Sequence, residues 1–158
     1  MSSQRFTTTV APAPAGRAGV LIPVPFDPDT VWGVKLRHHV NGTVNGKRVR
    51  GVVERTGDGY GFTLGPMWLS GCGVTIGDAV TVDIAPEGPQ RADLADDLAA
   101  ALEASPAAGA FFDSLAQFYR RAYLRWIDGT KRRPELRAQR IGEMIQLLEA
   151  GRKQRTDV

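Results

Sequence analysis

The sequence predicts an α+β fold, in which a small closed or half-closed antiparallel β-barrel at residues 4–91 precedes a helical segment of three to four helices at residues 92–151. Two observations predict it. As far as residue 84, short β-prone runs alternate with clusters of Gly, Pro, Asn and Asp, which is typical of short antiparallel strands. From residue 92 the apolar side chains recur at helical spacing. Residues 152–158 are predicted to be a frayed tail.

The composition is that of an ordinary folded domain. The chain has 158 residues, of which 42% are hydrophobic and 23% charged, and this balance excludes wholesale disorder. No apolar run approaches the roughly 20 residues of a membrane-spanning helix, so we expect no membrane insertion. The single cysteine, Cys72, cannot form an internal disulfide. The first residues do not resemble a secretory signal, and we therefore expect a cytoplasmic protein.

Six β-prone runs make up the first part of the chain. They span residues 6–10, 19–24, 34–44, 47–55, 60–64 and 79–84. Because the runs are short and glycine is frequent between them, they favour a closed or half-closed barrel over a flat sheet.

The dipeptide Asn45-Gly46 is the clearest turn signal, because it suits the two positive-φ positions of a type I′ hairpin. A two-residue turn sets the register of the flanking strands and places His38 opposite Val53. One face of this hairpin is then apolar: Leu36, His38, Val40, Val44, Val49 and Val53. The same register places Arg37 opposite Glu54 as a cross-strand ion pair.

The second part of the chain, from residue 92, is predicted to be helical. Residues 93–103 form a short helix with acids in its first turn, where they complement the helix dipole. Ser105-Pro106 is an N-cap followed by proline at the first helical position, which opens a helix to about residue 115. Residues 117–128 form a longer helix, and the last helix begins at Pro134 and stops at Gly151. The longer helix carries one apolar stripe: Phe118, Tyr119, Ala122, Tyr123, Trp126 and Ile127.

Charge is distributed unevenly along the chain. Residues 92–115 hold five acids and no base, whereas residues 116–158 hold eleven bases against five acids. Opposite blocks of this kind either pair within one fold or leave a basic surface for an anionic partner. The outer face of the hairpin is also basic and is the candidate nucleic-acid surface: Lys35, Arg37, His39, Arg48 and Arg50.

Catalytic and metal-binding motifs are missing from the sequence. His38 and His39 are adjacent on a strand and point to opposite faces, so they cannot hold one metal together. Neither a zinc-protease motif nor a nucleophile elbow occurs. We therefore expect no cofactor, no metal and no enzymatic activity.

The candidate binding site lies where the last two helices meet. Aromatic side chains at the end of one helix and basic side chains at the start of the next could together contact an amphipathic ligand. The residues concerned are Tyr123, Trp126, Lys131, Arg137 and Arg140. The alternative is that the aromatic residues are core, while Arg137 and Arg140 pair with the acidic helix that opens at Asp93.

The same stretch carries a family resemblance. Tyr123, the run at residues 126–131, Arg137 and Arg140-Ile141 resemble the signature of the bacteriocin-protection, YdeI/OmpD-associated family. That signature is Tyr-x-x-Trp-Ile, then a lysine, then two arginines three apart with isoleucine after the second. The chain departs from it before the lysine, where it has threonine for alanine, and before the first arginine, where it has leucine for threonine.

The glycine-rich turns at residues 42–46, 57–59 and 77–78 resemble the uncharacterised β-barrel domain that often precedes this family's helical region. The resemblance covers nearly the whole chain and implies the fold, but it implies no established reaction. We expect a non-catalytic protein that binds or sequesters an amphipathic peptide or antibiotic-like small molecule. The alternative is a nucleic-acid-binding barrel that uses the basic hairpin face and the basic C-terminal helices.

Overall fold

The first unit of the computed structural model is a seven-stranded antiparallel sheet that curls into a half-barrel. The structure describes residues 3–71, 73–130 and 132–155, which divide into two units between Pro86 and Glu87. Cys72 and the candidate site residue Lys131 lie outside the described residues. The strands are β1 (Gln4–Thr9), β2 (Ala11–Pro12), β3 (Val20–Val24), β4 (His38–Val44), β5 (Lys47–Thr56), β6 (Gly59–Leu64) and β7 (Ala79–Pro86).

The order of the strands explains how the sheet curls. They lie in the order β1-β7-β4-β5-β6-β3-β2. Since only Val10 separates β1 from β2 in the chain, one stretch of backbone joins the two ends of the sheet. The core of this unit consists of Val10, Trp32 of the short helix before β4, and alternate side chains of the strands that face inward: Val20, Ile22, Val24, Val40, Val44, Val49, Val53, Phe62, Leu64, Val80, Val82 and Ile84. The predicted antiparallel barrel is confirmed.

The predicted hairpin register is also confirmed. His38 lies opposite Val53, and the turn residues Asn45 and Gly46 have φ values of 48° and 80°, as a type I′ turn requires. The Asn45 side chain adds a contact to a third strand, because its Oδ1 accepts a hydrogen bond from the backbone N–H of Thr81 at 2.9 Å.

The start of β4 was predicted wrongly. The strand begins at His38 rather than at residue 34, so Leu36 does not join the apolar face and is 73% exposed. Arg37 therefore lies outside the paired strands, and the predicted pair with Glu54 does not form. Glu54 instead accepts a hydrogen bond from Arg17 at 3.1 Å.

A short helix, α1 (Pro28–Trp32), occupies the space before β4. Asp27 caps it by accepting from the backbone N–H of Asp29 at 2.9 Å, and Gly33 ends it at a φ of 88°. This helix and α2 (Pro66–Leu69) were not predicted. Both follow an N-cap position with proline at the first helical position, which is a helix start that the sequence does carry.

The second unit is helical. After a 3₁₀ turn at Arg91–Asp93 it contains four helices: α3 (Asp96–Ala104), α4 (Pro106–Ser114), α5 (Gln117–Asp128) and α6 (Pro134–Glu149). Ser105 caps α4 by accepting from the backbone N–H of Ala108, as predicted. Of the described helices, none is long and apolar enough to cross a membrane.

The helices pack around a second core: Leu98, Leu102, Ala108, Phe112, Leu115, Tyr123, Ile127, Ile141, Met144 and Leu148. The predicted stripe on α5 is correct for Tyr123 and Ile127, which are buried. It is wrong for Phe118, which is 62% exposed. The buried residues of α5 are Arg120, Tyr123 and Ile127, which are spaced by three and four, and Phe118 does not share their face of the helix. Residues 152–155 follow α6 and contact α5, as described below.

Candidate functional site

Arg137 is held by two acids of the helical unit. Its guanidinium donates two hydrogen bonds to the Asp97 carboxylate, at 2.6 and 2.9 Å, and a third to Asp128 at 3.3 Å. These bonds raise the pKa of Arg137 further above its usual range and lower the pKa of Asp97. Since its donors point at these carboxylates, Arg137 ties α6 to α3 and to the end of α5. The alternative interpretation predicted this pairing with the acidic helix.

Tyr123 is part of the helical core. Its ring is 1% exposed, and its hydroxyl donates to the backbone carbonyl of Arg152 at 2.8 Å. Burial raises the pKa of the hydroxyl. This hydrogen bond links the segment after α6 to α5. Tyr123 therefore has a structural role and is not itself exposed to a ligand.

Trp126 is half-buried, and two arginines lie close to its ring. The guanidinium carbon of Arg140 lies 5.1 Å from the ring centroid, and that of Arg155 lies 4.5 Å from it. Arg140 also donates from Nη1 to the backbone carbonyl of Trp126 at 2.6 Å. Arg140 therefore stays at α5 and does not join the acids of α3. Among the predicted residues, the structure brings Trp126 and Arg140 together.

A second aromatic ring of α5, that of Tyr119, also lies close to a cationic side chain. Tyr119 lies seven residues, or about two turns, before Trp126 and so shares its side of the helix. The Nζ of Lys153 lies 5.6 Å from the Tyr119 ring centroid, and exposed Phe118 packs edge-to-face on Tyr119 at 5.3 Å. We call this set the aromatic–arginine surface: Phe118, Tyr119, Trp126, Arg140, Lys153 and Arg155.

A groove of about 360 Å³ adjoins this surface. Its lining combines apolar with charged and polar residues: Glu143, Gln146, Leu147, Ala150, Arg152 and Arg155. Arg155 thus belongs to both features, so a molecule in the groove would lie beside a residue whose guanidinium is close to the Trp126 ring. The groove is at the small end of the size range for ligand sites.

Two site residues, Lys153 and Arg155, were missed because they fall in the segment predicted to be a frayed tail. The sequence did contain a signal for them. Three basic residues, Arg152, Lys153 and Arg155, follow Gly151 closely, and cations pack readily on exposed aromatic rings. Nothing in the spacing, however, shows that the chain turns back onto α5.

The candidate nucleic-acid surface, the basic face of the hairpin, lies in the first unit. Lys35 and Arg37 precede β4, so contrary to the prediction they do not lie on the hairpin, whereas His39, Arg48 and Arg50 do. Arg37, Arg48 and Arg50 are exposed, and Lys35 and His39 are half-buried. A tryptophan not assigned to this face lies beside it: Trp68 donates from its indole to the Arg48 carbonyl at 3.0 Å. Lys47 covers the Trp68 ring, with Nζ 5.0 Å from the centroid.

The described residues contain no group of three or more His, Cys, Asp or Glu side chains placed to hold a metal ion. What the structure defines is a two-part α+β protein: a half-barrel, and a four-helix unit that carries a mixed aromatic and cationic surface.

Comparison with known families agrees with this division. Residues 91–151 match the family described as bacteriocin-protection, YdeI or OmpD-associated, and residues 6–84 match a domain of unknown function, DUF1905. The first unit belongs to the DUF1905 domain family, and the helical region that follows matches the YdeI/OmpD-associated family, the arrangement that the resemblance implied. No curated protein matches the sequence.

Proposed function

We propose that this chain is a non-catalytic cytoplasmic binding protein, and that its helical unit binds or sequesters an amphipathic peptide or antibiotic-like small molecule. The observation that carries the proposal is that the guanidinium groups of Arg140 and Arg155 both lie close to the Trp126 ring. The match of residues 91–151 to a bacteriocin-protection family supports the same kind of role.

The arginines beside Trp126 favour a ligand with carboxylate or carbonyl oxygens, because a guanidinium presents several N–H donors to such oxygens. Each cation–π contact at a partly exposed site contributes about 0.5–1 kcal/mol, enough to restrict the side chain before a ligand arrives. Prior restriction of this kind lowers the entropic cost of binding.

The apolar part of the ligand has surfaces to contact in the same unit. Phe118 is largely exposed beside Tyr119, and Leu147 lies in the groove next to Arg155. The charged edge of the groove is mostly cationic, with Arg152 and Arg155 against Glu143. This combination matches an amphipathic molecule whose polar end is anionic or rich in carbonyl groups.

A thermal-shift screen tests the proposal and separates it from the nucleic-acid alternative. The panel holds antimicrobial peptides, aromatic antibiotics, nucleotides and short oligonucleotides, each at low and high salt. A ligand at about 100 times its Kd adds about 2.7 kcal/mol, which raises Tm by roughly 2–4 °C. We expect a peptide or antibiotic to give a shift that persists at high salt, because apolar contacts are little affected by salt.

Matched variants locate the binding. Arg155→Gln removes one stacked guanidinium and should weaken the shift, whereas Arg121→Gln, an exposed arginine on the same helix α5, should leave it unchanged. A shift seen only with oligonucleotides and lost at high salt would support the hairpin alternative instead. A panel with no shift, or a shift unaffected by Arg155→Gln, would count against this site.

A further inference from the structure

Three exposed apolar side chains lie close together in the chain between the end of α1 and the start of β4. Val34 is 84% exposed, Leu36 73% and Val31 37%. Gly33 ends α1 at a φ of 88°, and the chain from there to His38 lies outside the paired strands. Single exposed apolar residues are ordinary, but three in so short a segment indicate a contact surface.

A cleft of about 370 Å³ adjoins these side chains. Leu36, Val52 and Tyr60 contribute apolar surface to its lining, whereas Val34, two residues before Leu36, is almost fully exposed beside it. The same part of the molecule therefore carries both a protruding aliphatic side chain and a recess with apolar walls. We call Val31, Val34 and the residues that line this cleft the α1–β4 surface.

The charges of the α1–β4 surface balance. Three carboxylates line the cleft together with three cationic side chains: Asp27, Asp29 and Glu54 against Lys35, Arg37 and Arg55. A partner of a single charge is therefore not favoured. The two signs also lie on different elements, because Asp27 and Asp29 are at the start of α1, whereas Arg37 precedes β4 and Arg55 lies on β5.

A surface of this kind is complementary to a second copy of itself. In a twofold dimer each residue of the interface occurs twice, once from each copy. The acids at α1 of one copy can then face the arginines of the other, whereas a surface with one sign of charge would repel its own copy. The protruding side chain and the recess are paired by the same symmetry.

We propose that two copies of this chain associate about a twofold axis through the α1–β4 surface, with Val34 of each copy packed against Leu36 and Tyr60 in the cleft of the other. Twelve residues line the cleft, fewer than the roughly 20–30 that a standard interface takes from each partner. The dimer is therefore weak, with a Kd on the order of 1–100 µM. This inference concerns the first unit and does not depend on the proposed function of the helical unit.

Sedimentation equilibrium of the full chain between about 1 and 500 µM tests the association. We expect the mean mass to rise with concentration from that of one chain toward twice that value. Over the same range, the backbone ¹H–¹⁵N resonances of residues 31–37, 52–55 and 60 should shift in a saturable way, because these residues form the surface.

Variants of the apolar residues locate the interface. Val34→Ser combined with Leu36→Ser should weaken the dimer at least about tenfold, because both copies lose their apolar contacts. Tm at low concentration should be unchanged, since both side chains are exposed. Met67→Ser is the matched control, because Met67 is an exposed apolar residue of α2 that does not line the cleft. It should leave the dimer as in the parent.

Charge variants test the complementarity. Arg37→Glu combined with Arg55→Glu makes the surface acidic in both copies and should also weaken the dimer at least about tenfold. Arg48→Glu, at an exposed arginine of β5 outside the cleft, should not. The mass of a single chain at every concentration would overturn the proposal, and so would a dimer that neither double variant weakens. Since no residue of the helical unit enters the test, such a failure leaves the proposed function unaffected.

Discussion

Arg137 and Asp97 are forty residues apart in the chain and meet in a two-bond ion pair, with Nε–Oδ2 and Nη2–Oδ1 distances of 2.6 and 2.9 Å. The pair joins the first turn of α3 to the first turns of α6. Arg137 is one of the two arginines in the signature that the chain resembles. In this structure that arginine holds two helices together.

Arg137→Ala should therefore destabilise the helical unit. We expect the free energy of unfolding to fall by about 1–2 kcal/mol, because a bidentate pair and a third hydrogen bond are lost. Arg137→Lys should recover only part of this, since an ammonium group cannot form the two parallel bonds. Denaturant unfolding of both variants, with Asp97→Asn for a double-mutant cycle, measures the coupling. Ligand binding lost at full stability would show instead that Arg137 contacts the ligand.

Asp97 also predicts how stability depends on pH. Its hydrogen bonds from Arg137 lower its pKa below the ordinary value of 3.8. The pair therefore stabilises the fold above about pH 4, and this contribution is lost as the pH falls through the lowered pKa. The difference in unfolding free energy between the parent and Asp97→Asn should be constant near neutral pH and shrink toward zero in acid. Asp96→Asn, in the same turn, controls for the helix dipole. A difference as large at pH 2 as at neutral pH would contradict this account.

Arg120 should be the most sensitive charged residue of the helical unit. It is 1% exposed and donates to three backbone carbonyls, those of Leu115, Pro89 and Asp113, at 2.9, 2.9 and 2.6 Å. Arg120→Met leaves these carbonyls unpaired, and we expect a loss of about 3–5 kcal/mol. The exposed neighbour variant Arg121→Met should stay within about 0.5 kcal/mol of the parent. Thermal unfolding of the two variants decides the matter, and similar Tm values for both would refute the role assigned to Arg120.

Two glycines of the hairpin should respond differently to alanine. At Gly42 an added Cβ would lie 1.8 Å from the Asp83 carbonyl oxygen of β7, so β4 and β7 would have to separate. Gly46 has a φ of 80° and open space around it, so alanine there costs only backbone strain, about 1 kcal/mol. We expect Gly42→Ala to cost more than about 3 kcal/mol. Circular dichroism during urea unfolding compares them; equal costs would show that the β4–β7 approach is not tight.

The sequence predicted best what depends on neighbouring residues. Asn45-Gly46 determined the register of the hairpin because the turn type follows from the two residues themselves. The bounds of α5 were predicted correctly, at 117 and 128: Gly129 follows the last residue, although the N-cap residue, Ala116, makes no side-chain cap hydrogen bond. The start of β4 was wrong because Val34 and Leu36 look β-prone, while the capping of α1 by Asp27 and the turn at Gly33 act against a strand there.

The candidate site was harder to predict because it depends on contacts between distant parts of the chain. Spacing placed Arg137 and Arg140 on neighbouring rows of α6 but could not show that the first would meet Asp97 and the second Trp126. Nor could it show that Arg155 returns to the Trp126 ring. Periodicity assigns a side chain to a face of its own helix, and the packing of the helices decides what that face meets.

The central claim is that an amphipathic ligand binds at the Trp126 ring, close to the guanidinium groups of Arg140 and Arg155. The chain has three tryptophans, and their indole N–H resonances separate the possible sites: Trp126 in the helical unit, Trp68 beside the basic hairpin, and Trp32 buried in the barrel. We would titrate the ¹⁵N-labelled chain with an amphipathic peptide carrying glutamate and leucine, and with its counterpart in which lysine replaces glutamate. The account predicts that the acidic peptide shifts the Trp126 resonance saturably, at low and high salt, and that the lysine peptide does not. A Trp126 resonance unmoved by the acidic peptide, or a shift confined to Trp68, would contradict it.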